Sequence, residues 1–172
     1  WYAYRNHYGL THRENAHHLE PFHWRNMRVV GQRFEPAKPS RGTVHVLHGY
    51  FDHTGVFSKL IEWGLLRRYN VLIFDLPGHG LSSGESAVID DFSDYSRAIA
   101  DVLRAVSLPS LPIWAMAQST GCAALVDYAS KYPWPFAASV LLAPLIRPVR
   151  WKRVCQAYRA HQPATFTTPV EI

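Results

Sequence analysis

Ser119 is placed in this chain like a nucleophile. It ends the run Leu111-Pro112-Ile113-Trp114-Ala115-Met116-Ala117-Gln118-Ser119 and is followed by Thr120-Gly121-Cys122, so an apolar strand passes into a helix with the serine at the apex. A sharp strand-to-helix turn needs small residues beside its apex, because larger side chains would collide with the neighbouring strand and helix, and Ala117 and Gly121 supply them. Such a turn lifts the Ser119 hydroxyl above the sheet. It also aims the Thr120 amide and the positive end of the following helix at one spot, where they would stabilise a developing oxyanion. The chemistry of that arrangement is acyl transfer through a serine. The plainer role open to the same residue is to cap the helix over 120–132, which serine does well.

Two further segments bear on the choice. Thr43-Val44-His45-Val46-Leu47 is an apolar strand that runs directly into His48-Gly49-Tyr50-Phe51-Asp52-His53-Thr54-Gly55. Val71-Leu72-Ile73-Phe74-Asp75 is another, followed by Leu76-Pro77-Gly78-His79-Gly80-Leu81-Ser82-Ser83-Gly84. The elbow, here Ala-x-Ser-x-Gly, resembles the Gly-x-Ser-x-Gly nucleophile elbow of the α/β-hydrolase family, and the three motifs stand in that family's order. The resemblance implies that the His-Gly loop carries the other half of an oxyanion hole. Tyr50 and Thr120 then donate the two amides, with Gly49 letting the backbone approach a bound carbonyl. It implies a structural histidine at His48 rather than a general base. Asp75 is expected to anchor its own turn, since a carboxylate at a strand end readily accepts loop N–H groups.

Other chemistries are poorly supported. The segment Gly78-His79-Gly80 is not a dinucleotide loop, which would need glycine at Ser83, and no P-loop lysine motif occurs. No cofactor is expected. The histidines crowded near the start, His7, His12, His17, His18 and His23, lack the spacing of a zinc helix, so no metal site is expected. The two cysteines, Cys122 and Cys155, form neither a disulfide framework nor a metal motif; as free thiols they suit a reducing cytoplasm. The net charge of +5 shows a mild excess around Arg147, Arg150, Lys152, Arg153 and Arg159. A solvated surface explains it most simply, with peripheral membrane contact as the alternative and no module for nucleic acid. No apolar run reaches the length of a membrane span.

With 172 residues and 48% apolar content the chain can bury a substantial core as one domain. Residues 22–35 read as a β-hairpin or two short strands, followed by a turn-rich connector over 36–42. Strands over 43–48, 71–75, 112–117 and 138–143 are nearly unbroken apolar runs, as expected of parallel strands covered on both faces. Between them, Phe57, Leu60, Ile61 and Gly64 share a face of one helix. Phe92, Tyr95, Ile99, Val102, Leu103 and Val106 make the stripe of another, opened by Asp90 or Asp91. The fold class is α/β: a three-layer sandwich with a mostly parallel central sheet, a truncated α/β-hydrolase fold.

Within that family the motifs look most like those of bacterial lysophospholipase and monoacylglycerol-lipase relatives. The implied substrate is a small-molecule or lipid carboxylic ester with an acyl chain. The resemblance covers nearly the whole chain, yet the chain covers only the N-terminal part of the family's fold, and residues 146–172 read as the start of its cap or lid. His161 and Glu171, the histidine and acid beyond the helix that follows the elbow, stand in the reverse of the family's order and are not assigned to the triad. A non-catalytic hydrolase-like binding protein is the competing reading. Made alone, residues 1–172 are expected to be catalytically silent and poorly soluble, for want of a base and with one edge of the sheet unpaired.

Overall fold

Side-chain alternation along the central strands generates the layers of this protein. The computed structural model describes residues 2–11 and 14–145. Its strands are β1 (Ala16–Trp24), β2 (Met27–Glu35), β3 (Thr43–Leu47), β4 (Asn70–Asp75), β5 (Ile113–Gln118) and β6 (Ala138–Leu142). They form one sheet in the order β1-β2-β4-β3-β5-β6. β4, β3, β5 and β6 are mutually parallel, while β2 runs antiparallel to β4 and β1 antiparallel to β2. The helices are α1 (Tyr2–His7), α2 (Ser58–Leu66), α3 (Ser93–Ala105) and α4 (Thr120–Lys131), with a 3-10 turn, Thr54–Phe57, leading into α2.

Leu47 of β3, Leu72 and Phe74 of β4, and Ala115 and Ala117 of β5 lie in one buried cluster with Tyr95, Ile99 and Val102 of α3 and Cys122, Leu125 and Tyr128 of α4. Val44, Val46, Val71 and Ile73, the alternate residues of β3 and β4, fall in a second cluster with Ile61 and Leu65 of α2. Period-two alternation thus sends successive residues to opposite faces, and each face is roofed by helix. Each large side chain fully removed from water contributes roughly 1.5–3 kcal/mol. The outcome is the expected three-layer sandwich around a mostly parallel sheet.

Several expectations need correction. The hairpin begins at Ala16 rather than residue 22, because His17, His18, Glu20 and Pro21 conceal the strand in the sequence. As the outermost strand, β1 pairs on one side only, where a proline is tolerated. The turn after it is fastened to α3, where Arg25 donates to the buried Asp94 carboxylate at 2.8 Å and stacks 4.8 Å from the centre of the Trp24 ring. Phe92 is 41% exposed and precedes the helix instead of joining its buried stripe. Asp91 opens that helix by accepting the Ser93 N–H at 2.8 Å. Strand 138–143 is not covered on both faces: every residue of β6 is exposed, and among the described residues β6 is bonded only to β5. The short helix α1 was not anticipated. Residues 146–172, with Cys155, His161, Glu171, the basic cluster and the expected start of a cap, lie outside the described residues.

His45, at the centre of β3, is wholly buried and stacks between Phe74 and Phe136, its ring centre 5.7 and 6.0 Å from theirs. Burial, only partly offset by the Leu72 backbone, pulls its pKa down to about 4. The folded state keeps this ring neutral while the unfolded chain takes up a proton below about pH 6.5. Stability is therefore full above about pH 6.5 and falls as the pH drops toward 4, by an amount on the order of 3 kcal/mol from this residue. Urea unfolding between pH 7 and pH 4 should show that loss, and His45→Phe should lessen it without removing it, because the buried His48 is held neutral in the same way.

Candidate active site

At Ser119 the backbone takes φ +47° and ψ −112°, in the left-handed half of conformational space that non-glycine residues rarely enter. β5 ends at Gln118 and α4 begins at Thr120, so the entire reversal from strand to helix falls on this residue. The Ser119 side chain makes no capping hydrogen bond to α4, which removes the plainer role considered above. Its backbone is held instead. The Ser119 N–H donates to Leu142 O at 3.0 Å, and its carbonyl accepts from Cys122 N–H at 3.0 Å and Leu145 N–H at 3.2 Å. Underneath, the Cys122 thiol donates to Ala117 O at 3.1 Å, and burial pushes its pKa up. The small residues around the apex are needed sterically: a Cβ at Gly121 would lie 2.5 Å from Leu47 O and 2.7 Å from His48 O.

The loop after β3 meets the elbow at Gly49. A Cβ there would stand 3.4 Å from Ser119 Cβ and 3.6 Å from Gln118 Cδ, both ordinary van der Waals contact, and 2.9 Å from Asp52 Oδ2, so the loop lies directly against the elbow and an added methyl group would meet the Asp52 carboxylate first. Tyr50 follows directly, and neither its N–H nor that of Thr120 is hydrogen-bonded to any described residue. Both amides thus lie next to the elbow and remain free to donate. His48 shapes this loop from below. Its ring is wholly buried; Nδ1–H donates to Gly49 O at 2.7 Å and Nε2 accepts the Leu76 N–H at 2.9 Å. With both nitrogens engaged and burial holding its pKa well below the usual histidine range, His48 is neutral and unable to take a proton from Ser119.

Asp75 joins the third motif to the second. Its Oδ1 accepts the N–H and hydroxyl of Thr54, each at 2.7 Å, and its Oδ2 accepts the Leu81 N–H at 2.8 Å. The carboxylate is wholly buried and anchors the loop after β3 as well as its own turn. His79 Nδ1 donates to Pro77 O at 2.9 Å, and Gly78 and Gly80 take φ of +75° and +52°. This tight turn leaves no helix N-terminus to cradle a phosphate. The Tyr50 hydroxyl donates to Ala87 O, tying the two loops together at the mouth.

The structure therefore brings Ser119, Thr120, Gly49 and Tyr50 together. It does not bring a base to Ser119: among the described residues no histidine is hydrogen-bonded to its hydroxyl. Of the crowded histidines, His17 stacks on Phe34 and bonds Gln32, and His18 pairs with Glu35. No group of three metal-ligating side chains occurs among the described residues, and no helix among them is long and apolar enough to cross a membrane. Sequence reasoning missed the clasp of Leu142 and Leu145 on the Ser119 backbone and the tie between Tyr50 and Ala87. The first is wholly backbone and the second ends on a backbone carbonyl, and a carbonyl acceptor leaves no signal in residue types.

The family model described as serine aminopeptidase, S33, matches residues 38–166. Human monoglyceride lipase is 32% identical over 120 residues, covering 66% of this chain and 38% of the human protein. Among solved structures, a CIB-like hydrolase of Thermoplasma acidophilum superposes with a TM-score of 0.62 at 26% identity, covering 76% of this chain and 64% of that one. A soluble variant of the Saccharomyces cerevisiae monoglyceride lipase, in complex with a substrate analogue, gives a TM-score of 0.65 at 21% identity, covering 84% and 50%. The chain spans less than half the length of the human lipase.

Gly121→Ala isolates the steric demand of the elbow. In an ordinary helix the change stabilises by up to about 1 kcal/mol. Here the methyl group meets two backbone carbonyls that cannot swing aside, and overpacking of this kind costs roughly 1–3 kcal/mol. Thermal unfolding of the variant should show a lowered midpoint despite the gain in helix propensity.

Proposed function

The chain belongs to the serine aminopeptidase S33 family of α/β-hydrolases, and from that premise we propose that it carries the nucleophile and oxyanion hole of a serine hydrolase acting on carboxylic esters with an acyl chain, of the lysophospholipase or monoacylglycerol-lipase type. The observation that carries the reading is the conformation of Ser119. A non-glycine residue at φ +47° whose side chain makes no capping bond, in a turn that lies against the loop at Gly49, is costly to hold.

In the proposed reaction the Ser119 Oγ attacks the ester carbonyl and gives its proton to a base outside the described residues. The carbonyl electron pair moves onto oxygen, where the Tyr50 and Thr120 amides and the positive end of α4 receive it. Collapse breaks the ester C–O bond, the leaving oxygen takes the proton back from the base to depart as the alcohol, and the acyl group stays on Ser119. Water, giving a proton to the same base, then attacks that acyl carbonyl, releasing the carboxylic acid and returning the proton to Ser119. Preference for an apolar acyl chain is supported by the loops around the mouth, where Phe51 is 77%, Val88 47% and Tyr50 44% exposed. The monoglyceride lipases among the relatives point the same way. We further propose that residues 1–172 belong to a single hydrolase domain, with 146–172 opening its cap.

A fluorophosphonate probe should label Ser119 in the full-length protein, and Ser119→Ala should abolish both labelling and ester hydrolysis. Gly49→Val, which forces side-chain atoms between Tyr50 and the elbow, should lower kcat by about 10²–10³-fold if one oxyanion donor is displaced. Undiminished short-chain ester hydrolysis in Ser119→Ala would overturn the assignment, and the non-catalytic binding protein would take its place.

A further inference from the structure

We propose that α1 is a positioning element for the oxyanion loop: Tyr4 and Tyr8 clamp the turn at residues 53–55 and so fix the neighbouring Tyr50 amide, an inference that rests on the reading of that amide as an oxyanion donor.

A six-residue helix has no stability of its own in water. α1 is ordered by what it touches. Leu10, just beyond it, is wholly buried among Phe34, Val44, Ile61 and Ile73. The Tyr4 and Tyr8 rings lie 4.8 Å apart, and Tyr8 meets His53 edge-on at 4.8 Å and 77°. Beneath Tyr8 is Gly55, where a Cβ would fall 2.6 Å from Tyr8 Cγ; the ring covers bare backbone. His53 Nδ1 accepts two hydrogen bonds, from the Gly55 N–H at 3.1 Å and from the Tyr4 hydroxyl at 3.2 Å. Burial foremost, with the Asp75 charge adding to it, pushes the Tyr4 hydroxyl up to about 12, so it keeps its proton and remains a donor.

The turn is thus gripped from two sides. Thr54 is bound to Asp75 from within the fold, while His53 and Gly55 are covered by Tyr4 and Tyr8 from outside. Only Tyr50, Phe51 and Asp52 separate this turn from Gly49, and they are already folded tightly, with Asp52 N–H donating to Gly49 O at 3.2 Å and Phe51 at φ +64°. Little slack remains to absorb a displacement at residue 53, so releasing the outer grip would shift the Tyr50 amide. A misplacement of about 1 Å at a reacting centre costs on the order of 10²-fold in rate.

The test uses the full-length protein and two variants. Tyr8→Ala removes the ring over Gly55, and Tyr4→Phe removes one hydroxyl without opening a cavity. Hydrogen exchange at the amides of residues 50–56 should quicken in both. With a short-chain ester, kcat should fall about 10- to 100-fold in Tyr8→Ala and less in Tyr4→Phe, KM changing little. Tyr8→Phe, which keeps the ring, should restore kcat. Exchange at residues 50–56 unchanged in both variants would overturn the inference, as would quickened exchange with wild-type kcat. Ser119→Ala run in parallel separates the two levels. Persistent hydrolysis there sinks the catalytic reading itself, whereas its loss alongside full turnover in Tyr8→Ala sinks only the role of α1.

Discussion

Everything at the site depends on how closely α4 crosses the carboxyl end of β3. Gly121 sits where a single methyl group would strike the Leu47 and His48 carbonyls. That contact sets the depth of the helix, and the depth leaves one residue, Ser119, in which to turn from strand to helix. The left-handed backbone at Ser119 is the geometric consequence. The same crossing brings the loop after β3 under the elbow, so Gly49 faces Ser119 and the Thr120 and Tyr50 amides come into one neighbourhood. A looser crossing would let the serine relax into a helix cap and would part the two loops.

Loops this close to a core carry backbone N–H groups that the sheet does not satisfy, and buried polar side chains must do so. His48 and Asp75 are the two hubs. His48 links Gly49 O to the Leu76 N–H, binding the loop after β3 to the loop after β4. Asp75 reaches back the other way to Thr54 while holding Leu81. Each is wholly buried, and each would be costly to bury without these partners. Their use is to satisfy and align loop backbone, which explains why polar residues follow directly on the apolar runs of β3 and β4.

Much of this was legible because it is local. The apex serine flanked by alanine and glycine, the His-Gly step after a strand and the Asp-x-x-Gly-His-Gly turn all express short-range sterics, and the central strands fell within a residue or two of their expected ends. What escaped depended on partners distant in sequence. β1 looked polar over residues 16–21 because an edge strand need not be apolar on both faces. Asp94 has a local partner in Arg97, but its burial depends also on Arg25, which lies in a turn on the other side of the sequence. Phe92 fitted the helical stripe by spacing but lies ahead of the helix. β6, as apolar as its neighbours in the sheet, is exposed because burial is a property of what packs on a strand, which its own sequence does not contain. The helix α1 was invisible for the related reason that its order comes from His53, Gly55 and the pocket that takes Leu10.

Backbone strain ties the loops together as well. Six described non-glycine residues have positive φ, and four of them, Phe51, Ala87, Ser119 and Ala143, follow β3, β4, β5 and β6 in turn. The loops after these four parallel strands thus each carry one residue in a conformation costing about 1–3 kcal/mol. Such residues persist only where their surroundings over-determine them, and here the loops do this for one another. Tyr50 is bound to Ala87 O, the Ser119 N–H to Leu142 O beside Ala143, and Leu145 N–H to Ser119 O. No loop could relax alone without breaking its neighbour's support. On the proposed reading, the Tyr50 and Thr120 amides would be held in place before any substrate arrives, the condition under which backbone amides stabilise a developing charge without reorganising to meet it.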